Sequence, residues 1–294
     1  MKIKDKRYRQ LTYFMFALPA VLFVAVFMLY PVLMNVVYSF TDWNGISDDV
    51  HFVWLLNYQK ILESGELGIV IRNTLLFGIL YLPILNAVSL LLACLVKASG
   101  RVSGFYKVIF YFPGLLAPAV VGYIWRLLYD PNNGLINKVL QGIGLDSLVR
   151  NWLGDSLLVI PSISVTVIWA CVGYYMILYY AGLMAVPVEL YEAASIDGAS
   201  AVQRFFHITI PQIVPSLKMN LIFSTMGAFT LFDIPYAMTG GGPGYDSSTL
   251  ALLIYRYNFN LQPNLGVTLT VVLLLFTIAV ILLQNYILGR REDS

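Results

Sequence analysis

Few residues of this 294-residue chain are of a type that could do chemistry, and their spacing excludes most of it. The two histidines, His51 and His207, lie far apart, and the two cysteines, Cys94 and Cys171, stand singly in apolar runs. They supply neither the clustered ligands of a zinc site nor the paired thiols of a disulfide framework. No Gly-Lys pair occurs, so the phosphate-cradling Gly-x-x-x-x-Gly-Lys-Ser/Thr loop is absent, as are His-Glu-x-x-His and Gly-x-Ser-x-Gly. What remains is binding chemistry. Asp233, Asn86, Asn220 and Thr225 are polar groups inside apolar stretches, where each is either bonded to a neighbouring helix or used. Aromatic residues accompany them: Phe229, Phe232 and Tyr236 around Asp233 at helical spacing, and Trp169, Tyr174, Tyr175, Tyr179 and Tyr180 further upstream. Such rings pack core or lipid, or they meet a solute that has apolar faces and hydroxyl edges. Asp233, Tyr236, Phe229, Asn86 and Tyr175 are therefore candidates for the wall of a substrate pathway.

The elements that must position these groups are membrane helices. Hydrophobic residues make up 59% of the chain and charged residues 12%, with a mean hydropathy of +0.76. A soluble domain is about half apolar and a quarter charged, so an ordinary soluble enzyme, a nucleic-acid binder and a disordered chain are excluded. A bilayer core about 30 Å thick needs about 20 apolar residues in a helix. Six runs qualify: about Leu11–Phe40, Thr74–Val96, Val108–Tyr129 (interrupted by Pro113 and Pro118), Leu157–Met184, Met219–Met238 and Gly266–Leu288. The first is too long for a signal h-region and reads as an uncleaved span. With the N-terminus inside, segments 1–10, 97–107, 184–218 and 289–294 carry five, three, two and two basic residues, against six outside. The positive-inside rule then places both termini in the cytoplasm. Acidic residues, Asp42, Asp48 and Asp130 among them, lean outward. The expected organisation is an all-α integral membrane protein of six transmembrane helices: a cytoplasmic N-terminus over 1–10, a single transmembrane domain over 11–288 and a cytoplasmic tail over 289–294.

One inner segment, 186–215, is too patterned to be a plain connector. Pro187 suits the first position of a helix over about Val188–Ile196, Glu189 suits its first turn, and Gly198 can end it with φ > 0. A second short helix is expected from about Ala199, with Pro211 stopping it. A membrane-surface helix would be rich in Lys and Arg. This one carries Glu189, Glu192 and Asp197 against Arg204 alone, a charge that favours a protein partner over anionic lipid.

Glu192-Ala193-Ala194, then Asp197-Gly198-Ala199, then Phe205, Ile208, Pro211 and Pro215 resemble the EAA loop of binding-protein-dependent ABC importer permeases, without a gap in the spacing. A second stretch, Thr239-Gly240-Gly241-Gly242-Pro243 after Asp233-Ile234-Pro235-Tyr236, resembles the outer loop of carbohydrate permeases of the maltose, glycerol-phosphate and multiple-sugar type. Arg72-Asn73-Thr74 and Phe110-Tyr111-Phe112-Pro113 are fainter echoes of the same family. The resemblance covers nearly the whole chain. It implies the type I ABC importer permease fold in a bacterial cytoplasmic (inner) membrane. It also implies a second, different permease subunit, two cytoplasmic ATPase subunits that bind the ATP and magnesium, and an extracytoplasmic sugar-binding protein. No cofactor is implied in this chain, and no nucleic acid. By the same resemblance 186–215 is a coupling loop: Glu192 and Asp197 are its polar contacts, Ala193 and Ala194 its close-packing flank, Gly198 its turn, with Ala199 and Pro211 completing the motif. The cargo would be a carbohydrate. A non-sugar solute is the nearest alternative, and an ion-coupled carrier a more distant one.

Overall fold

The computed structural model describes residues 2–47, 49–260 and 262–289. Asp48 and the tail from 290 to 294 lie outside the described residues. Among the described residues there is no strand, only an isolated bridge between Thr41 and Phe52.

In chain order, α1 (Lys2–Val24) runs through a π turn (Ala25–Leu29) into α2 (Tyr30–Tyr38), with Pro31 just inside it. Next come α3 (Leu56–Glu63), α4 (Glu66–Ala98), α5 (Ser103–Tyr111), α6 (Pro118–Leu128) and α7 (Leu135–Gly142). Then α8 (Val159–Met184), α9 (Val188–Ile196), α10 (Ala201–Arg204) and α11 (Ile210–Gln212). The last are α12 (Val214–Phe229), α13 (Asp233–Thr239), α14 (Leu250–Phe259) and α15 (Pro263–Gly289). Four helical stretches are long and apolar enough to cross a membrane: Thr12–Tyr38, Glu66–Ala98, Val159–Met184 and Pro263–Ile287.

The other two apolar runs are bent, and prolines account for both. The third turns by 92° between the 3₁₀ turn Phe112–Leu115 and α6. A residue before proline is pushed out of the helical region, and Ala117, ahead of Pro118, sits at φ −58°, ψ 134°. The run Val108–Tyr129, expected to be interrupted by Pro113 and Pro118, is a sharply broken pair of helices. The fifth bends by 40° between α12 and α13. Pro235 has no N–H to give the carbonyl of Leu231, four residues back, which accepts instead from Thr249 Oγ1 at 2.9 Å.

Contacts divide the chain into two units. One holds the residues up to Ser64 together with Ile254–Val272. Asn57 is its polar hub: its amide donates to the carbonyls of Ser39 (3.0 Å) and Thr41 (2.7 Å), and its Oδ1 accepts from Asn264 Nδ2 at 3.0 Å. The other holds Gly65–Leu253 and the residues from Leu273 on. Its core is α4 against α8, with Phe77, Tyr81, Leu85, Met176 and Tyr179 almost fully buried. Small residues let neighbouring backbones come close. A Cβ on Gly173 of α8 would overlap the carbonyl of Phe110, and one on Gly122 of α6 would stand 2.6 Å from Ala237 Cβ of α13.

Candidate functional site

The segment expected to be a helix, a turn and a second helix is that. Pro187 is the N-cap of α9 (φ −57°, ψ 134°), one position earlier than the sequence places it. The helix ends at Ile196, and Gly198 follows at φ +76°. The Ala199 N–H returns to the Ala194 carbonyl at 2.9 Å, and the Gly198 N–H to that of Ser195 at 3.2 Å. This is a Schellman motif, which satisfies the last carbonyls of the helix and needs a left-handed residue at Gly198. The next helix starts at Ala201, not Ala199, because Ser200 caps it. Ser200 Oγ accepts from the Gln203 N–H while Gln203 Oε1 accepts from the Ser200 N–H, a reciprocal capping box. Pro211 does not stop that helix. A π turn (Phe205–Thr209) precedes it, the helical path continues to Gln212, and the break falls at Ile213 (φ −96°, ψ 9°).

Two faces of α9 have different fates. Tyr191, half-buried, is tied inward, and Ser195, four residues on and exposed, is tied to α10. Tyr191 Oη and Thr209 Oγ1 are 2.9 Å apart, Ser195 Oγ donates to the Tyr191 carbonyl at 2.6 Å, and Arg204 Nη1 donates to Ser195 Oγ at 2.6 Å. Lys97, in the last turn of α4, donates to the Leu183 carbonyl at 2.8 Å and lies 5.1 Å from the centre of the Tyr191 ring. Beneath, Tyr191, Ile208 and Ile210 pack on a core of Ala93, Val96, Met176, Tyr179, Leu183, Val186 and Ile213. The adjacent face, Val188, Glu192 and Ile196, is exposed, as are Glu189, Ala193, Asp197 and Gly198; Ile196 reaches 87%. A short helix thus presents a mixed apolar and acidic surface on a rigid footing. Lys97, Ser200, Arg204 and Thr209 were not among the sequence candidates. Only Ser200 had a local signal, the Ser-x-x-Gln spacing.

The five pathway candidates separate into two groups. Asp233 and Tyr236 are exposed on α13 just after the helix break, and the Tyr236 ring stacks on Phe232 at 5.3 Å. Asn86, Phe229 and Tyr175 are buried. Asn86 bonds three helices together: its amide donates to Leu82 O on α4 (2.8 Å) and Ser224 Oγ on α12 (3.1 Å), and its Oδ1 accepts from Tyr179 Oη on α8 (2.7 Å). Phe229 packs on Phe276 at 4.9 Å, and Tyr175 edges onto Tyr174 at 5.2 Å. Thr225 is paired with Gln284, whereas Asn220, fully buried, leaves its Oδ1 without a partner among the described residues.

The Gly-Gly-Gly-Pro loop is held from many sides. Thr239 Oγ1 lies 2.7 Å from Ser247 Oγ and accepts from the Gly241 N–H at 3.1 Å. Ser247 and Ser248 donate to the carbonyls of Gly242 (2.7 Å) and Gly241 (3.1 Å). The Arg72-Asn73-Thr74 stretch of α4 turns out to be its clamp. Asn73 Nδ2 donates to the carbonyls of Tyr245 (2.8 Å) and Ser248 (3.2 Å), Thr74 Oγ1 accepts from the Leu250 N–H (3.1 Å), and Tyr245 Oη donates to Glu66 at 2.6 Å.

The four long apolar helices, the two bent apolar pairs and the helix–turn–helix segment that turns on Gly198 are the features an ABC importer permease calls for. The comparisons agree: residues 1–293 match the binding-protein-dependent transport system inner membrane component family, and the chain belongs to it. It is a transport subunit, not an enzyme, and its place is the inner membrane. It is 34% identical over 92% of its length to a probable ABC transporter permease of Bacillus subtilis, which is covered to 94%. It is 33% identical over 94% to the diacetylchitobiose uptake system permease of Streptomyces coelicolor (82% covered), and 30% identical over 98% to the lactose transport system permease of Rhizobium radiobacter (97% covered). In fold it matches a chain of a bacterial ABC transporter that imports the acidic polysaccharide alginate, with a TM-score of 0.82, 21% identity and 99% of each chain covered.

Proposed function

We propose that the chain is one of two permease subunits of an ATP-driven carbohydrate importer, with α9 as the helix through which a separate ATPase drives it. The observation that carries the coupling role is the outward face of α9. Val188, Glu192 and Ile196 are exposed beside a turn that only a left-handed residue completes, while Tyr191 and Ser195 fix the helix to the body. Motion imposed on that face passes to α4 and α8 through Tyr191, Lys97 and the core beneath. The cargo rests on the diacetylchitobiose and lactose relatives. It agrees with the exposed Asp233 and Tyr236 and the half-buried Phe232 at the α12–α13 break, where a carboxylate and stacked rings match hydroxyl edges and apolar sugar faces. Both termini face the cytoplasm, a binding protein delivers the sugar from outside, and ATP-driven closure of the ATPases opens the cavity outward. Membership of a binding-protein-dependent family argues against the ion-coupled alternative.

The test is a mild-detergent pull-down of the tagged chain from native membranes, followed by uptake of labelled oligosaccharides in cells. Recovery of an ATPase and a second permease, together with uptake that disappears when this chain is deleted and returns with it, is the expected result. Recovery of the chain alone, or uptake indifferent to its deletion, overturns the proposal.

A further inference from the structure

A cavity of about 530 Å³ lies behind α9, and its chemistry is unlike the outward face of that helix. It is lined by Cys94, Lys97 and Ala98 from α4, Leu183 from α8, and Tyr191, Ala201, Arg204, Phe205 and Thr209. Two cations line it and no carboxylate does. Neither Lys97 nor Arg204 forms an ion pair; among the described residues the ion pairs found involve His51. A lysine and an arginine together carry eight N–H donors. Two of these meet protein acceptors, on the Leu183 carbonyl and on Ser195 Oγ. Half-buried cations without a counter-charge favour an anion with several acceptor oxygens. The remaining wall is mostly apolar, which suits a ligand with a hydrocarbon part.

We infer that this cavity binds a phosphate ester, its anionic oxygens on Lys97 and Arg204 and its apolar part against Ala98, Leu183 and Phe205. A second cleft of about 310 Å³, lined by Leu95, Val96, Ser99, Tyr106 and Phe110, opens beside the same turn of α4 and can take an acyl chain. The apolar lining, and the cavity's place at the end of α4, a helix long and apolar enough to cross a membrane, favour an anionic phospholipid over a free phosphate as the source. Basic pockets between membrane helices are a recurrent means of holding such headgroups. Because Lys97 and Arg204 also touch Tyr191 and Ser195, an occupant would brace α9 against α4 and α10 and make its footing depend on lipid.

The experiment is delipidation of the full chain in detergent, with thermal unfolding and native mass spectrometry as readouts. Three additions are compared: phosphatidylglycerol, phosphatidylcholine and glycerol phosphate. A rise in Tm and retained adducts with phosphatidylglycerol only support the lipid source, and the same response to glycerol phosphate supports a soluble ester. Each of Lys97→Gln and Arg204→Gln should weaken the response about fivefold, and the pair about 25-fold if independent, at about 1 kcal/mol per cation. The charge-preserving pair Lys97→Arg and Arg204→Lys should retain it and guards against misfolding. No response to either phosphate ester, or equal responses in the wild type and the double Gln variant, overturns the inference. The assay needs no ATPase and no sugar, so its failure is distinct from failure of the importer reading.

Discussion

The Pro187–Pro215 segment and the Thr239–Thr249 loop are both short, polar and patterned, yet they use their side chains in opposite ways. In the first, the named motif residues Glu192, Ala193, Asp197 and Gly198 point away from the body, and Ile196 and Val188 are 87% and 64% exposed. In the second, Ser247 and Ser248 are fully buried, and nearly every hydroxyl serves the loop itself or α4. The difference teaches how to read such patterns. A loop whose polar groups are satisfied internally is a framework, held for the shape it presents. A loop whose motif residues are unsatisfied is a surface awaiting another molecule. The two should therefore respond to substitution in opposite registers: the first through transport with stability intact, the second through stability first.

The largest effect is expected at Gly198. A side chain there is not blocked by space, since nothing lies within 4 Å of where a Cβ would be, but by φ +76°. The left-handed conformation costs an ordinary residue about 1–2 kcal/mol. That is enough to displace Ala199 from the Ala194 carbonyl and reorient the exposed face. Gly198→Trp should insert at normal levels and lose transport about tenfold or more; full uptake at equal expression would remove the turn from the mechanism. Next comes the clamp. Asn73→Ala leaves the Ser248 carbonyl without its donor, while the Tyr245 carbonyl keeps the Ser248 N–H at 3.0 Å. At about 1–3 kcal/mol for a buried unsatisfied group, and about 2–4 °C per kcal/mol, Tm should fall by roughly 2–12 °C. An unchanged Tm would show the loop to be no framework. Smaller again is Ser200→Ala, which removes the α10 cap. About 1 kcal/mol of local stability should be lost, seen as faster amide exchange over residues 201–204 with little change in Tm.

These cases also mark how far the residues alone could be read. Apolar run length made four long helices and two bent helix pairs legible, because a period-independent signal about 20 residues long survives any packing. The glycine stop of α9 was legible because Gly198 has a single-residue mechanism. Bends were less legible. Pro113 and Pro118 signalled trouble in the third run, but the 92° turn depends on two consecutive extended residues, Leu116 and Ala117, and on what α6 packs against. Pro211 does not act as the stop its type predicts, because a π turn upstream relieves the clash a proline otherwise makes. The candidate pathway residues show the same limit. Asn86 and Asp233 look alike in sequence as polar breaks in apolar runs. One is consumed by Tyr179 and Ser224, which lie 93 and 138 residues away, and the other is exposed at a helix break. Long-range partners of that kind leave no local trace. Asn73 is the counter-example, a residue noted only as a family echo whose structural task explains why it stands there.

The smallest expected effect on stability is the most discriminating. Ile196 is a large apolar residue that is 87% exposed, an arrangement the folded chain gains nothing from on its own. Replacing it by serine removes no buried contact, so Tm should stay within the change expected of an exposed site, about 0.5 kcal/mol either way. If the face is a docking surface, the same substitution removes apolar area from its centre, and central apolar anchors commonly carry 1 kcal/mol or more of an interface. Ile196→Ser should then weaken recovery of the ATPase in the pull-down about fivefold or more at constant Tm. Ser248→Ala, in the other loop, removes a buried hydroxyl that donates to Gly241. It should lower Tm by a few degrees and leave ATPase recovery alone. A loss of stability at Ile196 with no loss of partner, or the reverse at Ser248, would mean that the two loops had been assigned each other's roles.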